Sequence, residues 1–367
     1  MPAIDRRLLT HFEWVLPLLV VAAAMTGILT IYSATYTPAL VGPPALAMRQ
    51  LAWLGAGIVA MLLATLFDYR RLDHRAYLVY GIFLAMVLAV PLVGSVGGGS
   101  RRWLRLGPVA IQPSEFMKLG MVIVLAHYFA RSDRTHHDLR QAIPVFGLIA
   151  LPAAFVLIQP DLGSAALLSV VSLSMMLVGG VRLRWFALLA LPFLAVAPFL
   201  WGFLKEYQQQ RILMFLDPTK DPLGAGYHII QSTIAVGSGM VWGKGWLKGT
   251  QNHLDFLPEE HTDFIFSVFA EERGFAGSAA LMLLYLAIMV RMLVIAGRAR
   301  DRFGLLVVVG VLATVFWQVL VNIGMTTGLL PVVGITLPFM SYGGSSLLCL
   351  LIGTGLVMNV SMRRFLF

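Results

Sequence analysis

The chain has 367 residues, 59% of them hydrophobic and only 12% charged, with a formal net charge of +9. Soluble domains hold roughly 45–50% apolar and about 25% charged residues, so an ordinary water-soluble fold is excluded and a polytopic membrane protein is expected. The single cysteine, Cys349, rules out an intrachain disulfide and thiolate-held zinc or iron–sulfur clusters.

A membrane-spanning helix needs roughly 20 mainly apolar residues. Ten such runs follow one another: 14–33, 50–67, 76–96, 114–130, 141–158, 162–180, 185–203, 264–290, 304–327 and 345–361. The leading MPAIDRRLLTHFEW lacks a cleavable-signal pattern, so the first run reads as a retained span. The expectation is an all-α polytopic membrane fold, one integral domain over residues 1–367. A long extracytoplasmic loop, residues 204–263, joins the seventh and eighth spans, and loops of that length are usually functional. Inside it, GYHIIQSTIAVGSGMVWGKGWLKG is apolar but broken by Gly237, Gly239, Gly243 and Gly245. It is too short and glycine-rich to span, and reads as an interfacial or re-entrant helix followed by turns. There is no convincing internal repeat, so an inverted-repeat transporter finds no support.

Lys and Arg concentrate in cytoplasmic loops. With the N-terminus inside, the inner loops and termini hold sixteen arginines, and the short outer loops hold four: Arg49, Arg101, Arg102 and Arg105. Both termini are therefore expected on the cytoplasmic side. The basic balance is then a topogenic signal rather than a nucleic-acid footprint.

Those outer arginines run against the bias. SRRWLRLG, residues 100–107, is either an interfacial anchor, with Trp103 and the Arg stems at the headgroups, or an anion clamp. Arg forks suit phosphate oxygens. In QPSEFMKLG, residues 112–120, Pro113 and Ser114 mark a helix start with Ser114 as N-cap. Glu115 and Lys118 then share one face of a membrane helix. They either satisfy each other or mark a polar pocket at the outer mouth of the bundle. Asp161 in QPDLGSA reads as a helix N-cap.

LPEEHTDFIF, residues 257–266, places Glu259, Glu260, His261 and Asp263 immediately before an apolar run, and AEER follows with Glu271 and Glu272. Thr262 can cap that helix, but acid at such depth needs a polar cavity or a partner. In LPFMSYGGSS, residues 337–346, Gly343 and Gly344 permit a tight turn and Ser345 or Ser346 a cap; the same stretch can wall the outer cavity.

Outward-facing cations beside acids at the membrane boundary suit glycosyl transfer from a lipid diphosphate. A diphosphate whose charge is held leaves without a general acid. One carboxylate then suffices as base for the acceptor hydroxyl.

At these residues the chain resembles the SEDS (shape, elongation, division and sporulation) family. The likeness is carried by GTQNHLDFLPEEHTDFIFSVFAEERGFAG, RRWLRLGPVAIQPSEFMKLG, QPDLGSA, GYHIIQSTIAVGSG and LPFMSYGGSS, and is strongest to the elongation branch. The resemblance implies a peptidoglycan glycosyltransferase that polymerises lipid II on the outer face of the cytoplasmic membrane. It implies Asp263 as the essential aspartate, with Glu115, Lys118, Arg101, Arg102 and Trp103 matching further family positions. It also implies a divalent cation, Mg2+ or Mn2+, for which Asp263 or Glu115 are the candidate ligands. A class B penicillin-binding protein and other elongation-machinery membrane proteins are the implied partners. Arg49 joins the diphosphate-binding set. Asp255, a rival base, stands with Glu259, His261, Gln112, Ser341 and Tyr342 as secondary candidates. Met240 departs from the family pattern, standing where glycine is expected. A lipid II flippase is the alternative, although ionisable groups gathered at the outer ends argue against transport. A non-catalytic scaffold would leave Lys118 and the acids without a purpose.

Overall fold

The computed structural model describes residues 12–36, 42–97, 100–107, 109–132, 139–186, 226–250 and 261–364, and singly 188, 202, 209 and 213. Helices α1 (Val15–Ala34), α2 (Ala45–Leu66), α3 (Arg70–His74) and α4 (Ala76–Val93) lead into a small sheet of β1 (Ser95–Gly97), β2 (Ser100–Leu106) and β3 (Val109–Ile111). Then come α5 (Pro113–Ala130), α6 (Leu139–Ile158), α7 (Leu162–Val178), α8 (Tyr227–Ser238), α9 (Ile265–Gly297), α10 (Arg302–Thr326) and α11 (Gly344–Arg363). Six of these, α1, α2, α4, α9, α10 and α11, are long and apolar enough to cross a membrane. Every run read from the sequence overlaps a helix, with α2 starting earlier and α9 ending later than expected, except 185–203, nearly all of which lies outside the described residues, as does most of 204–225.

The apolar residues wrap the whole circumference of these helices, because in a membrane bundle one side meets protein and the other meets lipid. α10 and α11 are the most enclosed of the six spans, and α2 and α4 the most peripheral. α5 packs with α10 and α11 at the centre, lined by residues such as Met121, Val122, Val308, Val311 and Leu351.

Two features depart from an uninterrupted all-α reading. The first is the sheet: β1, β2 and β3 pair antiparallel in that order, so SRRWLRL is a strand rather than an irregular loop. β-strand side chains alternate between faces. Arg101 and Arg105 are exposed, whereas Arg102 points the other way and is half-buried.

The second is a break in α9. Gly274 takes φ 65° and ψ −165°, the left-handed half of the map that glycine enters freely. The backbone groups freed by the break are taken up by the turns after α8. Phe275 N donates to Met240 O at 2.8 Å and Ala276 N to Val241 O at 2.9 Å, while Glu271 O and Glu272 O accept from Lys244 N and Gly245 N at 3.0 Å each. The buried side chains finish the stitch. Glu271 Oε1 accepts from Lys244 Nζ at 2.6 Å and Thr250 N at 2.9 Å. Glu272 accepts from Leu247 N at 3.1 Å and from the Ser33 hydroxyl of α1. The AEER acids thus anchor the turns after α8 to the bundle. α8, at 12 residues, is too short to span.

Candidate active site

Asp263 lies in the turn just before α9, half-buried. The expected Thr262 cap is not formed: the N-cap is Phe264, with no side-chain cap bond. The turn is held from two other elements instead. Asn322 of α10 donates from Nδ2 to Asp263 O at 2.9 Å and to Ile335 O at 2.7 Å. Ser341 donates from Oγ to Thr262 O at 2.6 Å and accepts from Leu337 N at 2.8 Å. Tyr342 N donates to His261 O at 2.8 Å, and the two rings meet edge-on with centroids 5.8 Å apart. The carbonyls of His261, Thr262 and Asp263 are therefore each held: the first two by Tyr342 N and the Ser341 side chain, from the segment between α10 and α11, and the third by the Asn322 side chain of α10.

That segment is itself fixed. Gln50 of α2, fully buried, donates to Ser341 O at 3.0 Å and accepts from Gly343 N at 3.2 Å. Tyr285 of α9 donates to Pro338 O at 2.6 Å. Phe339 holds φ 66°, a conformation that a side chain beyond Cβ disfavours, and it persists because its surroundings are closed around it. Gly343, not a serine, is the N-cap of α11, with no side-chain cap bond. Ser345 Oγ instead accepts from Gln112 N at 3.1 Å and faces Ala110 O at 3.4 Å, tying α11 to β3 and the start of α5.

The same segment reaches both acid positions. A side chain on Gly334 would begin 3.3 Å from Asp263 Oδ2, and one on Gly163, two residues past Asp161, would begin 2.3 Å from Val333 O. Gly334 is exposed, so the Asp263 carboxylate sits beside an open face while its carbonyl is held by Asn322.

Asp161 caps α7 as expected, accepting from Ser164 N at 3.1 Å. It also accepts from Gln112 Nε2 at 3.2 Å and lies 3.9 Å from the Arg102 guanidinium. Arg102 further donates to Gln159 O at 3.3 Å and to Pro160 O, so it closes the end of α6. Ser114 is not the N-cap of α5; Gln112 holds that position without a side-chain cap bond and Pro113 starts the helix. The Glu115–Lys118 pair is formed at 2.8 Å, with both side chains buried. Beside it lies a cavity of about 20 Å³ lined by Thr314, Cys349 and Gly353. That is room for about one water molecule and not for a diphosphate.

Arg49, Arg101 and Arg105 are exposed, and Trp103 is half-buried with its carbonyl facing Ser95 Oγ at 3.3 Å. Asp255 and Glu259 lie outside the described residues. Among the described residues no three His, Cys, Asp or Glu side chains cluster to hold a metal. A single hard carboxylate such as Asp263 still suits Mg2+ or Mn2+, which commonly takes one or two carboxylates plus substrate phosphates. Gln50 and Asn322 were not singled out in the sequence. Their signal was an amide inside an apolar run: a buried amide must find partners, and these find the carbonyls that shape the site.

A model of the FtsW, RodA and SpoVE cell cycle proteins matches residues 13–365. The chain belongs to this family, SEDS. Among its SEDS relatives, the peptidoglycan glycosyltransferase MrdB of Escherichia coli K12 is 43% identical over 317 residues, covering 86% of this chain and 85% of that one. The peptidoglycan glycosyltransferase RodA of Treponema pallidum is 32% identical and covers 97% of this chain and 98% of its own. Two solved SEDS structures share the fold. One, from a peptidoglycan synthase complex in which polymerisation and crosslinking are coordinated, has a TM-score of 0.82 at 33% identity and covers 97% of this chain and 99% of that chain. The other, Thermus thermophilus RodA, has a TM-score of 0.72 at 30% identity and covers 97% and 98%.

Proposed function

We propose that this SEDS protein is a peptidoglycan glycosyltransferase that polymerises lipid II during cell elongation, with Asp263 as its base. Family membership and the names of the relatives support the activity, and the RodA relatives support elongation. The observation that carries the site is the fixing of Asp263: its turn is bonded to Asn322 and Ser341 while its carboxylate borders the open face at Gly334. A base held in one position by its neighbours loses little entropy in the transition state.

In the reaction Asp263 accepts the proton of the acceptor hydroxyl as that oxygen bonds to the anomeric carbon of the donor. The bond from that carbon to the diphosphate breaks on the opposite face, so the centre inverts and polyprenyl diphosphate leaves with its charge. Exposed Arg49, Arg101 and Arg105 are free of the helix-end duties that occupy Arg102, which supports them as diphosphate ligands. Lys118 reaches the diphosphate only if its pairing with Glu115 opens. A Mg2+ or Mn2+ ion at Asp263 would neutralise diphosphate charge.

The peptidoglycan synthase complex among the similar structures supports a class B penicillin-binding protein as partner. The arginine bias supports cytoplasmic termini, and with them the site on the outer face. Incubating the purified protein with lipid II and Mn2+ or Mg2+ tests the function: glycan strands are expected, and their absence at every metal concentration, with or without a transpeptidase partner, would count against it.

A further inference from the structure

At the end of the bundle opposite Asp263 lies a cavity of about 480 Å³ that the reaction does not use. α5 runs from Glu115, beside the active-site elements, to Arg131 at the cavity, roughly 24 Å along its axis. α10 runs the other way, from Arg302 to Asn322.

The cavity is lined by Arg70, Arg131, Arg300 and Arg302, with Asp73 and Asp301. Among the described lining residues four guanidinium groups stand against two carboxylates, and both carboxylates are occupied. Asp301 caps α10, accepting from Gly304 N at 2.7 Å, and accepts from the Tyr69 hydroxyl. Burial first, and then Asp301, push the Tyr69 hydroxyl up to about 12, so it stays a donor. Asp301 lies 3.9 Å from Arg70. Asp73 pairs with His127 Nδ1 at 2.7 Å and reaches Arg131 only at 3.5 Å. Arg302 donates to the carbonyls of Ser132 at 2.7 Å and Gly179 at 3.0 Å, which orient its charge without neutralising it. Arginines that act only as a topology signal need do no more than lie in loops. These four converge on one polar concavity at the ends of apolar helices, where exposed Tyr77 and Leu78 open α4.

We propose that this pocket binds a phosphate group carrying net negative charge, presented by an anionic phospholipid headgroup or as inorganic phosphate. Guanidinium forks match phosphate oxygens, and basic pockets between membrane helices are suited to anionic headgroups.

Thermal unfolding of the full chain in detergent, with dioctanoyl phosphatidylglycerol, dioctanoyl phosphatidylcholine or sodium phosphate at matched ionic strength, tests this. Phosphatidylglycerol should raise the midpoint and phosphatidylcholine should not. Protection by sodium phosphate alone would place free phosphate, rather than lipid, in the same pocket. Replacing both Arg70 and Arg131 by Gln should weaken the protecting anion about tenfold. Should that variant not fold, the salt dependence of the native chain decides: protection must fall as NaCl rises. Equal protection by phosphatidylcholine, protection indifferent to salt, unchanged affinity in a folded double variant, or no protection by either anion would overturn the proposal.

Discussion

Asn322 and Asp263 are 59 residues apart in sequence and are joined by one hydrogen bond, from Asn322 Nδ2 to Asp263 O at 2.9 Å. The same amide holds Ile335 O at 2.7 Å, so one side chain near the C-terminal end of an apolar span sets the distance between the acid turn and the segment facing it. Replacing Asn322 by Leu strands two carbonyls in a buried place, at a cost of about 1–3 kcal/mol each. Thermal unfolding should drop accordingly, and strand synthesis should fall by more than the loss of folded protein explains.

Ser341 makes the complementary contact. Ser341→Ala removes the bond to Thr262 O and the acceptor for Leu337 N, two bonds worth about 1 kcal/mol apiece. Ser341→Thr keeps the hydroxyl. The expected order of polymerisation rates is native, then Thr, then Ala.

The Glu115–Lys118 pair separates stability from chemistry. Lys118→Met leaves a buried carboxylate without its partner and should cost about 3–5 kcal/mol. Adding Glu115→Gln should recover most of that, because both charges then leave together. If Lys118 serves the diphosphate after the pair opens, the recovered double variant melts normally yet makes few strands. Normal synthesis by the double variant would confine the pair to structure.

Met240 holds φ 49° while its side chain is exposed. This gives a physical reason for expecting glycine there: a Cβ is disfavoured in that region by roughly 1–2 kcal/mol. Met240→Gly should raise the melting midpoint by a few degrees and leave activity unchanged.

His228 of α8 packs on Phe264, the residue after Asp263, with ring centroids 6.3 Å apart. Its Nδ1 is buried with no hydrogen-bond partner among the described residues, and burial lowers its pKa below the ordinary 6.5. The unfolded chain therefore takes up a proton first as pH falls. Stability is fully present above about pH 6.5 and lost progressively below it. Melting midpoints measured down this range should fall, and His228→Phe should flatten the slope.

The helices were legible because long apolar runs are the strongest signal that a membrane chain carries. The runs beginning near residues 14, 162 and 304 match α1, α7 and α10 almost to the residue. Of the cap residues only Asp161 was legible. Ser114, Thr262 and Ser345 have capping chemistry, yet Ser345 instead bonds across to Gln112 N, a pairing over 233 residues that no local pattern encodes. The arginine trio read as one clamp because spacing in a loop says nothing of faces; the strand period divides it, giving Arg102 to the end of α6. The acids of AEER were conspicuous, but their work of stitching the break at Gly274 to the turns at 240–245 depends on a backbone angle. Asp263 itself came from the family resemblance, and the structure adds the neighbours that hold it.

The most direct measurement is strand synthesis from lipid II by Asp263→Asn, which keeps the shape of the side chain and removes its basicity. The backbone bonds from Asn322 and to Thr262 are untouched, so the variant should melt as the native chain does. Loss of a general base costs about 10²–10⁴-fold in rate, so no strands should form in the time the native chain makes them. Strand synthesis by folded Asp263→Asn at the native rate would contradict the account.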